Sequence, residues 1–255
     1  MEKRKGGEAM AFLFLSPSTQ EYNPYVTTGN EEYWMNLLAD EMTPYLEASG
    51  INVTRNDPNG TVGASVRASN AGNYDFHLAL HSNAAPESLS GQLRGVDIYY
   101  YPGSTQSLRM ANIIVDNIKP IYPLPDRVRT VASNSLYELR ATRIPAVLGE
   151  FGYHDNIEDA TWVENNLTAI ARALALSVTE YFGLPFLSPG QIRQAVAETV
   201  SGPLNLRGAP SSSGQIIAQI PSGAAVEVLN SYNGWYVVRY GDLVGFALGE
   251  YLRFL

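Results

Sequence analysis

The feature that most constrains this chain is an alternation of short apolar runs with helical patterns, which stops near residue 186. Three short, mostly apolar runs are typical of buried strands: 11–15, 76–80 and 146–149. Glu31–Ser49 and Asp159–Phe182 carry the apolar spacing of amphipathic helices, and a glycine follows each of them. Strands that alternate with helices predict an open α/β sheet. Pro44 lies inside the first helical pattern, and we expect it to kink or split that helix.

Beyond residue 190 the pattern changes to short alternating strands, separated by turn pairs such as Gly202-Pro203 and Asn233-Gly234. Closely spaced short strands of this kind predict a small all-β barrel of about 60 residues. We therefore divide the chain into an α/β domain at 10–186, a linker at 187–195 and a barrel domain at 196–255.

Composition and charge exclude several classes of protein. The chain is 45% hydrophobic and 16% charged, as in an ordinary globular protein and unlike a disordered one. It has no cysteine, which excludes a disulfide framework, a thiolate metal site and a cysteine nucleophile. The net charge is −8, and no basic stripe suits a polyanion, so we expect no nucleic-acid partner. No apolar run approaches the roughly 20 residues of a membrane span.

Residues 1–10 are charged and lead into only about five apolar residues, fewer than the roughly 7–15 of a secretory signal. We therefore expect no signal peptide and synthesis in the cytoplasm. The sequence leaves open whether Met10 is the natural start, and the oligomeric state is unknown.

Candidate functional residues follow the predicted strands. Ligands in open α/β sheets bind beyond the carboxyl ends of the strands, where Ser16, His81 and Glu150 lie. Burial would raise the pKa of Glu150 toward the range of a general base, although a strand-end glutamate can also simply face water. Glu31 and Glu32 open the first helix, which the helix dipole alone explains, but a carboxylate near a strand-end histidine also suits zinc.

The other two histidines have less certain roles. His77 lies four residues before His81, about 13 Å along an extended strand, so the two cannot bind one metal ion. We expect His77 in the core or beside a ligand. His154 follows Glu150 in the next loop, where it either reaches the same site or caps a turn.

Two stretches and one helix start resemble a known family. The stretches are Asp75-Phe-His-Leu-Ala-Leu-His81-Ser-Asn83 and Pro145-Ala-Val-Leu-Gly-Glu150-Phe-Gly, and the helix start is Glu32 with Asn36-Leu37. With Arg67 and Asn70 before the His81 strand, they resemble the zinc-dependent N-acetylmuramoyl-L-alanine amidase family (Amidase_3 type) over residues 11–186.

The resemblance implies a mixed sheet flanked by helices, one Zn²⁺ ion, and cleavage of the amide between N-acetylmuramic acid and L-alanine in peptidoglycan. It implies Glu32 and His81 as metal ligands and Glu150 as the catalytic base. Asn83 would hydrogen-bond the loop or the substrate.

The chain departs from the family at the first histidine ligand, where it has Thr19 followed by Gln20. Three residues could replace that ligand: His154, Gln20 or Glu21. We expect His154, because a neutral imidazole preserves the charge of the site. The fourth possibility is that no catalytic metal binds and that the domain recognises peptidoglycan without cutting it.

The tail resembles a bacterial SH3-like (SH3b) domain through five segments: Leu204–Pro210, Ile220–Gly223, Val226–Leu229, Asn233–Arg239 and Gly245-Phe-Ala. Such domains commonly bind cell-wall peptides, so Trp235 and Tyr236 are either an aromatic platform or core residues. We thus expect a two-domain hydrolase acting at the cell wall, in spore development, as a phage endolysin or after unconventional export. The alternative is a weakened or inactive wall-binding protein.

Overall fold

The computed structural model describes residues 11–255, so the expectations about Met10 and the preceding residues lie outside the described residues. The first sheet contains six strands: β1 (Phe12–Pro17), β2 (Asn52–Arg55), β3 (Phe76–Asn83), β4 (Val96–Tyr100), β5 (Val128–Ala132) and β6 (Ala146–Tyr153). Their order is β2-β1-β3-β6-β4-β5. β4 runs antiparallel to β6, whereas the other neighbours are parallel, which confirms the mixed sheet.

Helices flank this sheet on both faces. They are α1 (Glu31–Ala48), α2 (Val62–Ala71), α3 (Thr105–Ile118), α4 (Tyr137–Ala141) and α5 (Ile157–Phe182). Leu78 and Leu80 of β3 share the main core with α1, α3 and α5. Ala79, which alternation turns to the opposite face, packs with Leu139 of α4 in a separate cluster. No helix in residues 11–255 combines the length and apolarity that crossing a membrane requires.

The two long helices differ from expectation in their regularity. α1 continues unbroken through Pro44, so the predicted split is wrong. Pro44 and Asp40 are both exposed, and the Asp40 carbonyl that loses its helical donor therefore faces water. α5 instead departs from helical geometry at Asn166, whose side chain donates a hydrogen bond to the Trp162 carbonyl.

The tail forms a seven-stranded antiparallel sheet, which confirms the predicted all-β domain. Its strands are β7 (Arg193–Ala197), β8 (Leu204–Arg207), β9 (Ile216–Ile220), β10 (Ala225–Tyr232), β11 (Trp235–Tyr240), β12 (Leu243–Leu248) and β13 (Leu252–Phe254). They follow the order β13-β7-β10-β11-β12-β8-β9. β7 begins within the segment predicted as linker, three residues before the expected start of the barrel domain.

The two domains pack against each other through a continuous apolar core. Barrel residues Val237, Val244 and Phe246 belong to the same cluster as the helices of the α/β domain. Gly50 adopts φ +84°, and a Cβ atom there would lie 2.3 Å from the Phe246 ring, so only glycine admits this approach. The side chain of Asn52 accepts a hydrogen bond from the Val244 N–H and donates one to its carbonyl, both at 2.8 Å.

Polar contacts hold the connecting segment as well. The Ser49 hydroxyl accepts a hydrogen bond from the Leu187 N–H at 2.9 Å, and the Asn230 side chain donates one to the Ser188 carbonyl at 2.7 Å. Arg239 of β11 pairs with Glu47 of α1 at 2.7 Å. The segment after α5 is therefore fixed to both domains.

Candidate active site

The site lies where the carboxyl ends of β1, β3 and β6 meet the first turn of α1. These strands run parallel, so their ends open at one edge of the sheet. A cavity of about 560 Å³ lies there. Several polar side chains line it: Ser16, Ser18, Gln20, His81, Glu138 and Glu150.

Glu31, rather than Glu32, contacts the strand-end histidine. Its Oε1 atom lies 2.8 Å from Nδ1 of His81, and its other carboxylate oxygen accepts a hydrogen bond from Asn23 at 2.7 Å. The Glu32 carboxylate instead accepts a hydrogen bond from Asn36 at 3.1 Å on the same helix. Asn30 caps α1, so Glu31 and Glu32 are the first two residues of the helix. Successive residues of a helix point about 100° apart, and only one of these two therefore faces His81. Glu31, and not the predicted Glu32, is therefore the carboxylate that contacts His81.

The protonation of Glu31 follows from these contacts. Glu31 is 1% exposed, and burial alone would raise the pKa of its carboxyl. The hydrogen bond and the charge of His81, with the Asn23 hydrogen bond, instead hold the pKa of Glu31 below its ordinary value. Glu31 is therefore a carboxylate at neutral pH.

His81 lies between two carboxylates. Opposite Glu31, its Nε2 atom is 3.0 Å from Glu138 of α4. Burial disfavours the charged ring, but the hydrogen bonds to Glu138 and Glu31 outweigh it and raise the pKa of His81 well above its ordinary value. Sequence reasoning missed Glu138, because a single glutamate in the short segment Tyr137-Glu138-Leu139-Arg140 carries no local signal of burial.

Glu150 lies beside His81 on the next strand. The ladder pairs Glu150 with His81 on β3 and with Asp97 on β4, so all three project from one row of the sheet. Its Oε2 atom is buried and has no hydrogen-bond partner in residues 11–255. Burial raises the pKa of Glu150 to about 7; the charge of His81 lowers it, whereas those of Glu31 and Asp97 raise it further. Glu150 is suited to accept and release a proton near neutrality.

His154 makes its contacts with Ser82 and Tyr25. Its Nδ1 atom lies 3.1 Å from both the hydroxyl and the carbonyl oxygen of Ser82, and its ring stacks on Tyr25. Its backbone bonds Asn83 and Val26, so it fixes the loop before α1 to the end of β3. The prediction that it supplies the third metal ligand therefore has no support from a contact with Glu31 or His81.

Gln20 is the residue that contacts both. Its side-chain amide nitrogen lies 3.2 Å from Oε1 of Glu31 and 3.3 Å from Nδ1 of His81. Glu21, the remaining alternative, is exposed at the rim of the cavity. Since a rotation of the amide by 180° exchanges its nitrogen and oxygen, Gln20 can turn an acceptor toward these two side chains.

A catalytic zinc ion takes three protein ligands and leaves one position open. Residues 11–255 contain no group of three or more His, Cys, Asp or Glu side chains arranged to hold one. Glu31 and His81 nevertheless supply one carboxylate and one imidazole, both good zinc ligands. Three carboxylates, those of Glu31, Glu138 and Glu150, lie around His81, and Oε2 of Glu150 has no hydrogen-bond partner within residues 11–255. This chemistry fits a cation with Gln20 as a third, weaker ligand.

A second groove lies on the barrel domain. It has a volume of about 740 Å³ and is lined by Trp235, Tyr251, Leu248 and residues of the loops on either side of β8. Tyr236, next to Trp235 on β11, points to the other face and packs on Phe254. The two aromatic residues therefore do not form one platform.

The fold and the cluster define an α/β domain with an acid–base site, fused to an SH3-like barrel. Residues 20–180 match the family described as N-acetylmuramoyl-L-alanine amidase (Amidase_3), and residues 202–253 match the bacterial SH3 domain. The first match covers more than half of the chain, and the chain belongs to the N-acetylmuramoyl-L-alanine amidase family.

Individual relatives agree with this assignment. The N-acetylmuramoyl-L-alanine amidase CwlM of Bacillus licheniformis is 28% identical over 152 residues, which are 58% of this chain and 56% of that protein. The chain thus spans about half the length of this curated relative. The amidase AmiC2 of Nostoc punctiforme has a TM-score of 0.59 at 18% identity, over 69% of this chain and 99% of that one. An amidase from Clostridium difficile 630 has a TM-score of 0.61 at 17% identity, over 69% and 98%. These two structures show the fold.

Proposed function

We propose that this protein hydrolyses the amide between N-acetylmuramic acid and L-alanine in peptidoglycan. The observation that carries the proposal is the unpaired, buried carboxylate oxygen of Glu150 beside the Glu31–His81 pair. A base whose pKa is close to 7 lies next to a cation-binding pair at the end of an open cavity. Membership of the amidase family names the reaction that such a site serves.

The residues would divide the work as follows. Glu31, His81 and the side-chain oxygen of Gln20 would hold a single Zn²⁺ ion. When bound, the ion supplies a Lewis acid that polarises the scissile carbonyl and acidifies water. Glu150 takes a proton from the attacking water at its free oxygen. It then returns that proton to the leaving nitrogen of L-alanine, so that its own charge is restored after each turnover.

The barrel domain would bind the cell wall through its own groove. Trp235 presents an aromatic surface there, and Arg207 contributes hydrogen-bond donors. A second contact with the same polymer raises the local concentration of the amidase site at its substrate. The site of action would accordingly be the cell wall.

The test is digestion of purified peptidoglycan by the full chain, with measurement of new L-alanine amino groups and of zinc per chain. We expect amino-group release, about one zinc per chain, and a loss of about 10²–10⁴-fold in Glu150→Gln. Glu180→Gln, on the far end of α5, is the matched control and should match the unaltered protein. A protein that sediments with peptidoglycan but releases no amino groups when zinc is present would instead be the non-catalytic wall binder.

A further inference from the structure

Glu138 has an arrangement that the proposed reaction does not yet use. It is 3% exposed, and both of its carboxylate oxygens accept hydrogen bonds. Oε1 accepts one from the Ser16 hydroxyl at 2.7 Å and one from Nε2 of His77 at 3.2 Å. Oε2 accepts one from Nε2 of His81 at 3.0 Å. The carboxylate therefore joins β1 and β3 to α4.

His77 is itself held in place. Its Nδ1 atom lies 3.0 Å from the Ser69 hydroxyl of α2, its ring stacks on Phe14 at 5.3 Å, and it is fully buried. Ser69, His77 and Glu138 form a chain of buried polar groups that ends at His81. Each member is fixed by a partner on a different element, so the position of the Glu138 carboxylate is determined before His81 is considered.

Packing alone does not require a carboxylate at this position. Apart from its hydrogen-bond partners, Glu138 has apolar residues near it on this face of the sheet, among them Leu139 and Leu148. A buried glutamate must be compensated for its lost hydration, and an apolar residue of similar size would avoid that cost. The three hydrogen bonds compensate it, and one of them is made to the histidine of the candidate metal site.

We propose that Glu138 is a positioning residue that orients His81 for metal binding. By accepting the proton on Nε2, it leaves Nδ1 as the ring nitrogen that faces Glu31 and Gln20. A carboxylate behind a ligating histidine fixes its tautomer and makes it a stronger ligand. The inference rests on the proposed function, since it assigns Glu138 a role only if a metal ion binds between His81, Glu31 and Gln20.

This role has particular weight in this chain. An amide oxygen is a weaker zinc ligand than the imidazole that its family relatives are expected to use at this position. A more basic His81 offsets part of that difference. Ser16 and His77, which bind the same oxygen of Glu138, would act on the metal through Glu138 and not by direct contact.

The experiment compares zinc affinity by chelator competition, and the absorption spectrum of the cobalt-loaded protein, in the full chain and in Glu138→Gln. We expect zinc to bind about 10–100-fold more weakly and the cobalt bands to shift, with an unchanged circular dichroism spectrum. Glu138→Asp should recover part of the affinity, and Glu180→Gln should not change it. In peptidoglycan digestion at saturating zinc, kcat should fall while KM stays the same.

Two results would overturn the inference. One is a zinc affinity and a cobalt spectrum in Glu138→Gln that equal those of the unaltered protein. The other is a complete loss of metal binding, which would make Glu138 a ligand itself. If Glu138→Gln does not fold, the same measurements are made on His77→Gln, which removes one partner of Glu138. We expect His77→Gln to weaken zinc binding by a smaller factor, and an unchanged zinc affinity in this variant would also overturn the inference. Failure of the proposed function is distinct, since it appears as absent amino-group release in the unaltered chain.

Discussion

Asn52→Ala tests whether the two domains behave as one folded body. Asn52 is only 9% exposed, and its side chain makes two hydrogen bonds of 2.8 Å with the backbone of Val244 in the barrel domain. The substitution leaves a buried N–H and a buried carbonyl without partners. Each unsatisfied group costs about 1–3 kcal/mol, so we expect a loss of about 3 kcal/mol in the free energy of unfolding.

A chain of this length loses about 2–4 °C of melting temperature per kcal/mol, which predicts a fall of about 6–12 °C. Differential scanning calorimetry on the full chain measures it, and we expect a single transition before and after the substitution. Asn205→Ala is the matched control, because the Asn205 side chain makes only an exposed hydrogen bond with Gln219 within the barrel domain. Two separate transitions in the unaltered protein, or an unchanged midpoint in Asn52→Ala, would refute the reasoning.

Three further predictions follow from the site and the groove. The pKa of Glu150 is raised from 4.5 to about 7. Its contribution to the free energy of unfolding of the metal-free protein is therefore present below pH 4.5 and is lost as the pH rises through 7. Urea unfolding with chelator should show this loss, and a Glu150→Gln protein whose free energy of unfolding falls equally steeply over this range would contradict it. Gln20→His should tighten zinc binding by at least about tenfold, because imidazole replaces an amide oxygen; calorimetric titration that finds equal or weaker binding argues against Gln20 as a ligand. Trp235→Ala should weaken the affinity for peptidoglycan, measured by sedimentation, by about 0.5–1.5 kcal/mol. Because Trp235 is half-buried and packs on the core shared by the two domains, binding is compared at a temperature where calorimetry shows the variant still folded. Unaltered sedimentation would place the wall contact elsewhere.

The sequence predicted the architecture because its signals are local. Apolar runs that end at His81 and Glu150 mark parallel strands, and parallel strands bring their ends together wherever the helices between them lie. The change of pattern after residue 186 likewise marked the all-β domain. These features depend on periodicity and turn residues, which a single chain displays directly.

The composition of the site depended on contacts that no local pattern reports. The choice between Glu31 and Glu32 is a matter of one helical step, and the cap at Asn30 decides it. An imidazole is a better zinc ligand than an amide oxygen, which favours His154 over Gln20. In the folded chain, however, the His154 ring contacts Ser82. Glu138 lies 57 residues from the histidine it binds, and only the folded chain brings them together.

The close contact between Gly50 and the Phe246 ring has a consequence for exchanging one domain of this protein for another. A flexible linker between two domains would let either domain be exchanged without disturbing the other. In this protein, removal of the barrel domain would expose to solvent the end of α1 that faces Phe246. It would also leave the side chain of Asn52 without its partner in β12. A chimaera that keeps the α/β domain folded must therefore supply a β12 that fits Gly50, and the position of the barrel groove relative to the cavity of the α/β domain is set by that fit and not by the length of the linker.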